Sequence, residues 1–448
     1  MRKKFFILIL AIITLISLMV YAYNPKNLRA IKDSIPEKFK KLIVKTIYFI
    51  PEHFREIERL KKVSEVNEAL NKKITLIEKR QNLINEEVFP QTQFLKLKFN
   101  EITLENLKSS KQKRYGFDVS PFYIGLFDDK IIFISNNGST GYTDSNELLN
   151  KKKISLLSIK NNLPKDISIT DSLIYEGKIY ITFVKKNKHC SNINIVEAKI
   201  NFDKLIFKDF YIREKIGNCD SEPICGRTAM YNVGTKDTSI IISMKDEKVK
   251  KKIIDEYSLD FRNFKFCVIK KINIYNNNEK ILSIGHRNPQ GLMVNEENII
   301  LSTEHGPRGG DEINKIIEGK NYGWPIASYG EDYFENFNSS DKYKYKKNHL
   351  KNKFEDPIFS FTPSIGISQI IKVPDEFSKR WQNDYLVTSL KTGYIFRVTF
   401  DVNFSKIINM ERIVLGKRIR DISYSYHKKL FLLALENGSG SLGVISVE

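Results

Sequence analysis

Cysteine is scarce: Cys190, Cys219, Cys225 and Cys267 are the only four in 448 residues, and no two have the CxxC spacing of a zinc or redox site. A cysteine-based metal cluster is thereby excluded. In an exported protein Cys190 and Cys219 are spaced to close a disulfide across a hairpin-sized loop; the alternative is four buried thiols. Acid is also short, with 53 Asp and Glu against 73 Lys and Arg and a net charge of +20. Such an excess can mark a nucleic-acid or membrane partner. Here the lysines are spread along the chain, in runs such as "KKKI" and "KVKKK" between apolar segments, with no DNA- or RNA-reading motif beside them. We therefore expect no nucleic-acid partner.

Helical periodicity is missing from most of the chain. It occurs only before about residue 90, where "PEHFREIERLKKVSEVNEALNKKITLIEKRQNLI" sets apolar residues three and four apart. The one long uncharged run, Phe5 to Tyr23 behind a basic tip, is close to the roughly 20 residues that span a bilayer. No small-x-small cleavage site follows it. The expected organisation is a signal anchor or transmembrane helix over 1–23, a helical juxtamembrane spacer over 24–90 and a β domain over 91–448.

After Pro90 short apolar runs alternate with turn residues. One unit recurs six times, beginning close to Lys130, Lys178, Thr238, Asn298, Asp384 and Lys429. Six β units with no helical segments between them argue for an all-β, six-bladed β-propeller. A β-sandwich is the less economical alternative. The insertion around "GEDYFENFNSSDKYKYKKNHLKNKFEDP" is expected over one face of the disc.

Between Gly285 and Pro325 the composition changes. "GHRNPQGL" is followed by "EHGPRGGDEINKIIEGKNYGWP", dense in Gly, His, Arg and Pro. Glycines allow loops to turn sharply and bring backbone close to a ligand on a propeller axis. Arg287 offers a planar fork for carboxylate or quinone oxygens, and Asn288 and Gln290 offer amide donors and acceptors. The carbonyls of Gly306 and Pro307 suit a hard cation such as calcium. The bland alternative is that these side chains only satisfy loop backbone and that "GGDE" is a tight turn with a solvated acidic end.

These three motifs, in this order and spacing, resemble the glucose/sorbosone dehydrogenase family, six-bladed propellers that oxidise aldose sugars with pyrroloquinoline quinone (PQQ) and calcium. The resemblance runs from about Ile284 to Asp421. It implies that Arg287, Asn288, Gln290 and His305 lie at the cofactor, and that Gly306 and Pro307 bind the calcium. "SLKTGYIFRVTFD" implies a quinone-contacting Lys391, "TPSIGISQ" a hydroxyl at Ser364, and "RIRD" two arginines, Arg418 and Arg420, for cofactor carboxylates.

The family also uses a base histidine in a His-x-Gly-Gly-Arg motif. The corresponding stretch is "EPICGRTAMYN", in which Gly226 and Arg227 match and Pro223 stands where the histidine belongs. Proline accepts no proton, so the catalytic residue is not identified; His305 and Glu222 are the candidates to replace it. Together with the uncharged run Phe5 to Tyr23, the resemblance implies a membrane-anchored sugar or alcohol dehydrogenase acting outside the cytoplasm and passing electrons to an envelope acceptor. The alternatives are a propeller that binds a ligand without turnover, and a carbohydrate-binding or scaffold module of the cell envelope.

Overall fold

The computed structural model describes residues 95–107, 112–114, 117–148, 151–186, 191–212, 226–244, 268–331, 345–436 and 440–448, with 92 and 438. The expected membrane anchor, the helical spacer, all four cysteines, Glu222, Pro223 and the middle of the long insertion lie outside these residues. Among the described residues no helix is long and apolar enough to cross a membrane.

Six antiparallel sheets succeed one another along the chain. Blade 1 begins with Phe122–Phe127, blade 2 with Ile167–Tyr175, blade 3 with Thr228–Tyr231, blade 4 with Pro289–Val294, blade 5 with Ile367–Lys372 and blade 6 with Ile419–Ser425. Each of these inner strands neighbours the next, and blade 6 neighbours blade 1, so the ring closes. Closure is covalently staggered. The fourth strand of blade 6 is Leu97–Glu105, from the start of the domain, paired antiparallel to Ser441–Val447 at its end.

The six recurring sequence units all fall on second strands: Lys130–Ser135, Lys178–Lys186, Ser239–Met244, Ile300–Glu304, Asp384–Ser389 and Leu430–Leu435. A second strand is covered on both faces by neighbouring blades, so it reads as a nearly continuous apolar run. Strand alternation then sends successive side chains to opposite interfaces. Ile131 and Phe133 pack towards blade 6, while Ile132 and Ile134 pack towards blade 2. Phe431, Leu433 and Leu435 meet blade 5, and Leu430, Leu432 and Ala434 meet blade 1. The core is thus six inter-blade clusters, one per interface.

The closing strand contributes to two of them, with Leu97 against the blade 5 side and Ile102 and Leu104 against blade 1. Ile102→Ala is expected to lower stability by about 2–5 kcal/mol, because a cavity opens in the cluster between blades 6 and 1. Chemical denaturation checks this against Val402→Ala, an exposed control expected to stay within about 0.5 kcal/mol of wild type.

Candidate functional site

The loops that enter the inner strands of blades 4, 5 and 6 form one hydrogen-bonded circuit around the axis. Arg287 donates from Nη1 to the carbonyl of His305 at 3.0 Å, and its guanidinium lies 5.2 Å from the Trp324 ring. Asn288 Nδ2 faces His305 Nδ1 at 3.4 Å, and its Oδ1 accepts from Gln290 Nε2 at 3.1 Å. Gln290 Oε1 accepts from Arg420 Nη1 at 3.0 Å, which links blade 4 to blade 6. Arg420 Nε and Arg418 Nη2 donate to the two oxygens of Glu436, at 2.9 and 2.6 Å. Arg418 Nη1 reaches the carbonyl of Leu390, next to Lys391, whose own N–H donates to the carbonyl of Ile365, next to Ser364. Asp311 completes the circuit by accepting from the N–H groups of Gly366 and Ile367 on one oxygen and Gly306 on the other.

The structure therefore brings all ten sequence-predicted residues onto or beside one circuit. Two glycines make it possible. A Cβ on Gly306 would meet the carbonyls of Gly309 and Gly310, and Gly366, at φ +65°, passes too close to the Lys391 backbone for any side chain. Lys391 itself is exposed, whereas Arg420 is buried.

Among the described residues, His305 Nε2, Ser364 Oγ and Arg420 Nη2 are buried polar atoms of the circuit without a hydrogen-bond partner. Buried polar groups are normally satisfied, so these three are the open positions of the site. Burial pushes the His305 pKa down to about 4, helped by Arg420 and Arg287 and opposed by Asp311 and the Ile367 backbone. The ring is neutral near pH 7. Burial would raise the Glu436 carboxyl, but Arg420 and Arg418 outweigh it and hold the pKa below the ordinary value.

The "GGDE" turn is not solvated, since Asp311 and Glu312 are both buried. Burial and the neighbouring Glu304 push Glu312 well above its usual range, against a hydrogen bond from Asn314. His286 is a packing residue, fully enclosed between Ser283 Oγ, Glu304 and a stacked Tyr322. His349, in a lysine-rich turn, is buried against Tyr329.

A second charged cluster lies on the axis. Arg227 Nη2 donates to Asp421 at 2.6 Å and its Nη1 lies 3.2 Å from Asp171. Asp171 also accepts from the N–H and hydroxyl of Thr228, and Asp421 from the N–H of Ile124. The two aspartates face a cavity of about 500 Å³ lined by all six inner strands. Burial pushes Asp171 up to about 6; Arg227 opposes this and Asp421 adds to it. Sequence reasoning missed Asp171, Asp421, Asp311 and Glu436. The available signal was weak: an isolated acid inside or beside an apolar strand, as in "ITDSLIY" and "FLLALEN".

Among the described residues, no group of three or more His, Cys, Asp or Glu side chains could hold a metal. A calcium site made of backbone carbonyls would need none.

Arg227→Met, which leaves two buried carboxylates facing each other, is expected to cost about 3–5 kcal/mol in chemical denaturation. Asp171 has a folded-state pKa above its unfolded value, so its contribution is fully present below about pH 4 and is lost as pH rises through about 6. The stability of wild type relative to Asp171→Asn should therefore fall across that window in thermal melts at stepped pH.

Residues 270–443 match the family model for glucose/sorbosone dehydrogenases. Aldose sugar dehydrogenase YliI of Escherichia coli is 35% identical over 170 residues, which are 37% of this chain and 44% of that protein. Quinoprotein glucose dehydrogenase B of Acinetobacter calcoaceticus is 33% identical over 127 residues, 28% of this chain and 24% of that protein. The aligned segment thus spans less than half the length of these curated relatives. Among solved structures, the soluble aldose sugar dehydrogenase of Escherichia coli in its apo form superposes with a TM-score of 0.61 at 18% identity, covering 79% of this chain and 100% of that one. The PQQ-bound aldose sugar dehydrogenase of Streptomyces coelicolor gives 0.52 at 14% identity, covering 80% and 100%. The sequence likeness sits in the blades that carry the circuit, and the fold likeness extends around the ring. The chain is thus a six-bladed propeller whose residues 270–443 match the glucose/sorbosone dehydrogenase family.

Proposed function

We propose that the circuit binds PQQ with calcium and that the chain oxidises an aldose sugar or a related alcohol. The observation that carries this reading is the set of three buried, unpartnered groups, His305 Nε2, Ser364 Oγ and Arg420 Nη2, in loops that also hold Arg287, Lys391 and Arg418. PQQ bears three carboxylates and an ortho-quinone, and such a ligand needs several cations and donors converging on one pocket. Arg418 and Arg420 together carry two positive charges against the one negative charge of Glu436, a surplus suited to a carboxylate. Asn288 and Gln290 brace the pocket from blade 4. The carbonyls of Gly306 and Pro307 are the proposed calcium ligands. When bound, the quinone accepts the electron pair and the calcium acts as a Lewis acid.

We further place the propeller outside the cytoplasm, tethered by the uncharged run Phe5 to Tyr23, with electrons passing to an envelope acceptor. A second reading, ligand binding without turnover, is favoured by one observation. Pro223 stands where the family motif would set its base, and the described histidines in and beside the circuit are enclosed or, as at His305, held neutral with a pKa of about 4. That reading includes a propeller that binds an anionic ligand or a carbohydrate at the envelope.

Calorimetric titration of the full chain with PQQ and calcium, followed by dye reduction over an aldose panel, separates these readings. Binding with turnover is expected, and chelation of calcium should abolish the turnover. Binding alone would leave the second reading, and absence of binding would overturn both as cofactor proteins. Lys391→Ala, at an exposed position, should leave the melting temperature unchanged and weaken PQQ binding roughly ten- to hundredfold, the loss of one charge-assisted hydrogen bond.

A further inference from the structure

Hydrogen bonds in the circuit have a direction, and it can be followed from one end. Arginine has donors only. The Gln290 atom that meets Arg420 Nη1 is therefore its carbonyl oxygen, at 3.0 Å, and the amide nitrogen of Gln290 must face Asn288. Asn288 then presents its oxygen to Gln290 at 3.1 Å and its own amide nitrogen to His305 Nδ1 at 3.4 Å. An amide nitrogen donates, so Nδ1 is the bare nitrogen of the ring. A neutral imidazole carries its single proton on the other nitrogen. Glu436 anchors the start of this chain by accepting from Arg420 Nε and fixing the guanidinium plane.

We infer that Glu436, Arg420, Gln290 and Asn288 form a one-way relay that holds His305 as its Nε2–H tautomer, a neutral donor to an oxygen of the bound ligand. Asn288 and Gln290 are then positioning residues for His305. Among the described residues Nε2 has no hydrogen-bond partner, as suits a donor aimed at a bound ligand. The assignment removes His305 from the candidates for the missing base, because a nitrogen that already carries a proton cannot take one from a hydroxyl group. The ligand must place a carbonyl or carboxylate oxygen opposite it.

The tautomer can be read in the ligand-free full chain by 15N-histidine labelling and ring proton–nitrogen correlation spectra, with His305 assigned by the signals lost in His305→Gln. The expected pattern is a protonated Nε2 and a bare Nδ1. Asn288→Asp places an acceptor opposite Nδ1 and should invert the pattern to Nδ1–H. A wild-type ring protonated on Nδ1 would overturn the relay. So would an Asn288→Asp protein, folded by its melting curve, whose tautomer is unchanged; if that variant does not fold, the wild-type spectrum still decides.

The ligand half of the inference rests on the cofactor reading above and is tested separately by adding PQQ with calcium. A shifted Nε2 signal is expected, and binding with an unmoved Nε2 would overturn the donor role. A chain that binds no PQQ would fail the cofactor reading and leave the tautomer result standing.

Discussion

Arg227 is the side chain on which the first half of the ring depends. Its guanidinium, just before the inner strand of blade 3, meets Asp171 of blade 2 and Asp421 of blade 6, and lies 5.3 Å from the ring of Tyr123 in blade 1. Four of the six blades are thus tied at the axis by one cation. The arrangement is costly to disturb, because all three charged groups are enclosed and any one of them removed leaves another unpaired. Apolar inter-blade clusters supply the bulk of the burial, but they are alike at every interface and tolerate small rotations. A guanidinium held by two carboxylates specifies angle and register, which hydrophobic contact does not.

Blades 4 to 6 are tied by different means. Their inner loops are joined through Asp311, Glu436 and the side chains between them, and blade 1 is drawn in when the N–H of Ser120 donates to the Glu436 carbonyl. The polar network that aligns these blades is also the one with three open positions. Structural and ligand-binding duties therefore coincide in this half of the ring and are separate in the other half. The family-model match covers residues 270–443, which is the half where they coincide.

This division explains what could be read from the chain alone. Second strands announce themselves because both faces are covered, so Ile131–Ile134 and Leu430–Leu435 appear as unbroken apolar runs, and six such runs give the blade count. The ligand loops are legible because Gly285, Gly306 and Gly366 accept no side chain, which forces an unusual local composition. Asp171, Asp311 and Glu436 are not legible. Each is a single acid whose meaning lies in partners 56 residues or more away for Asp171 and Arg227, 55 for Asp311 and Gly366, and on a neighbouring strand for Glu436 and Arg420. Short-range pattern carries no trace of such pairings, and an isolated acid after "FLLAL" reads as a turn.

The direction of the hydrogen bonds adds a constraint on catalysis that composition could not supply. A general base must offer a lone pair where the substrate hydroxyl arrives, with a pKa near the working pH. His305 fails on both counts, since its free nitrogen carries the proton and burial has pushed its pKa to about 4. His286 is enclosed by hydrogen bonds on both ring nitrogens. Asp171 has the suitable acidity, raised by burial and by Asp421, but both its oxygens are already engaged by Arg227 and Thr228. Pro223, at the position where the family motif would set its histidine, is therefore not compensated by any of these three groups as they stand. If the chain turns over a sugar, none of the three takes its proton, and the circuit's part is to hold and orient the ligand.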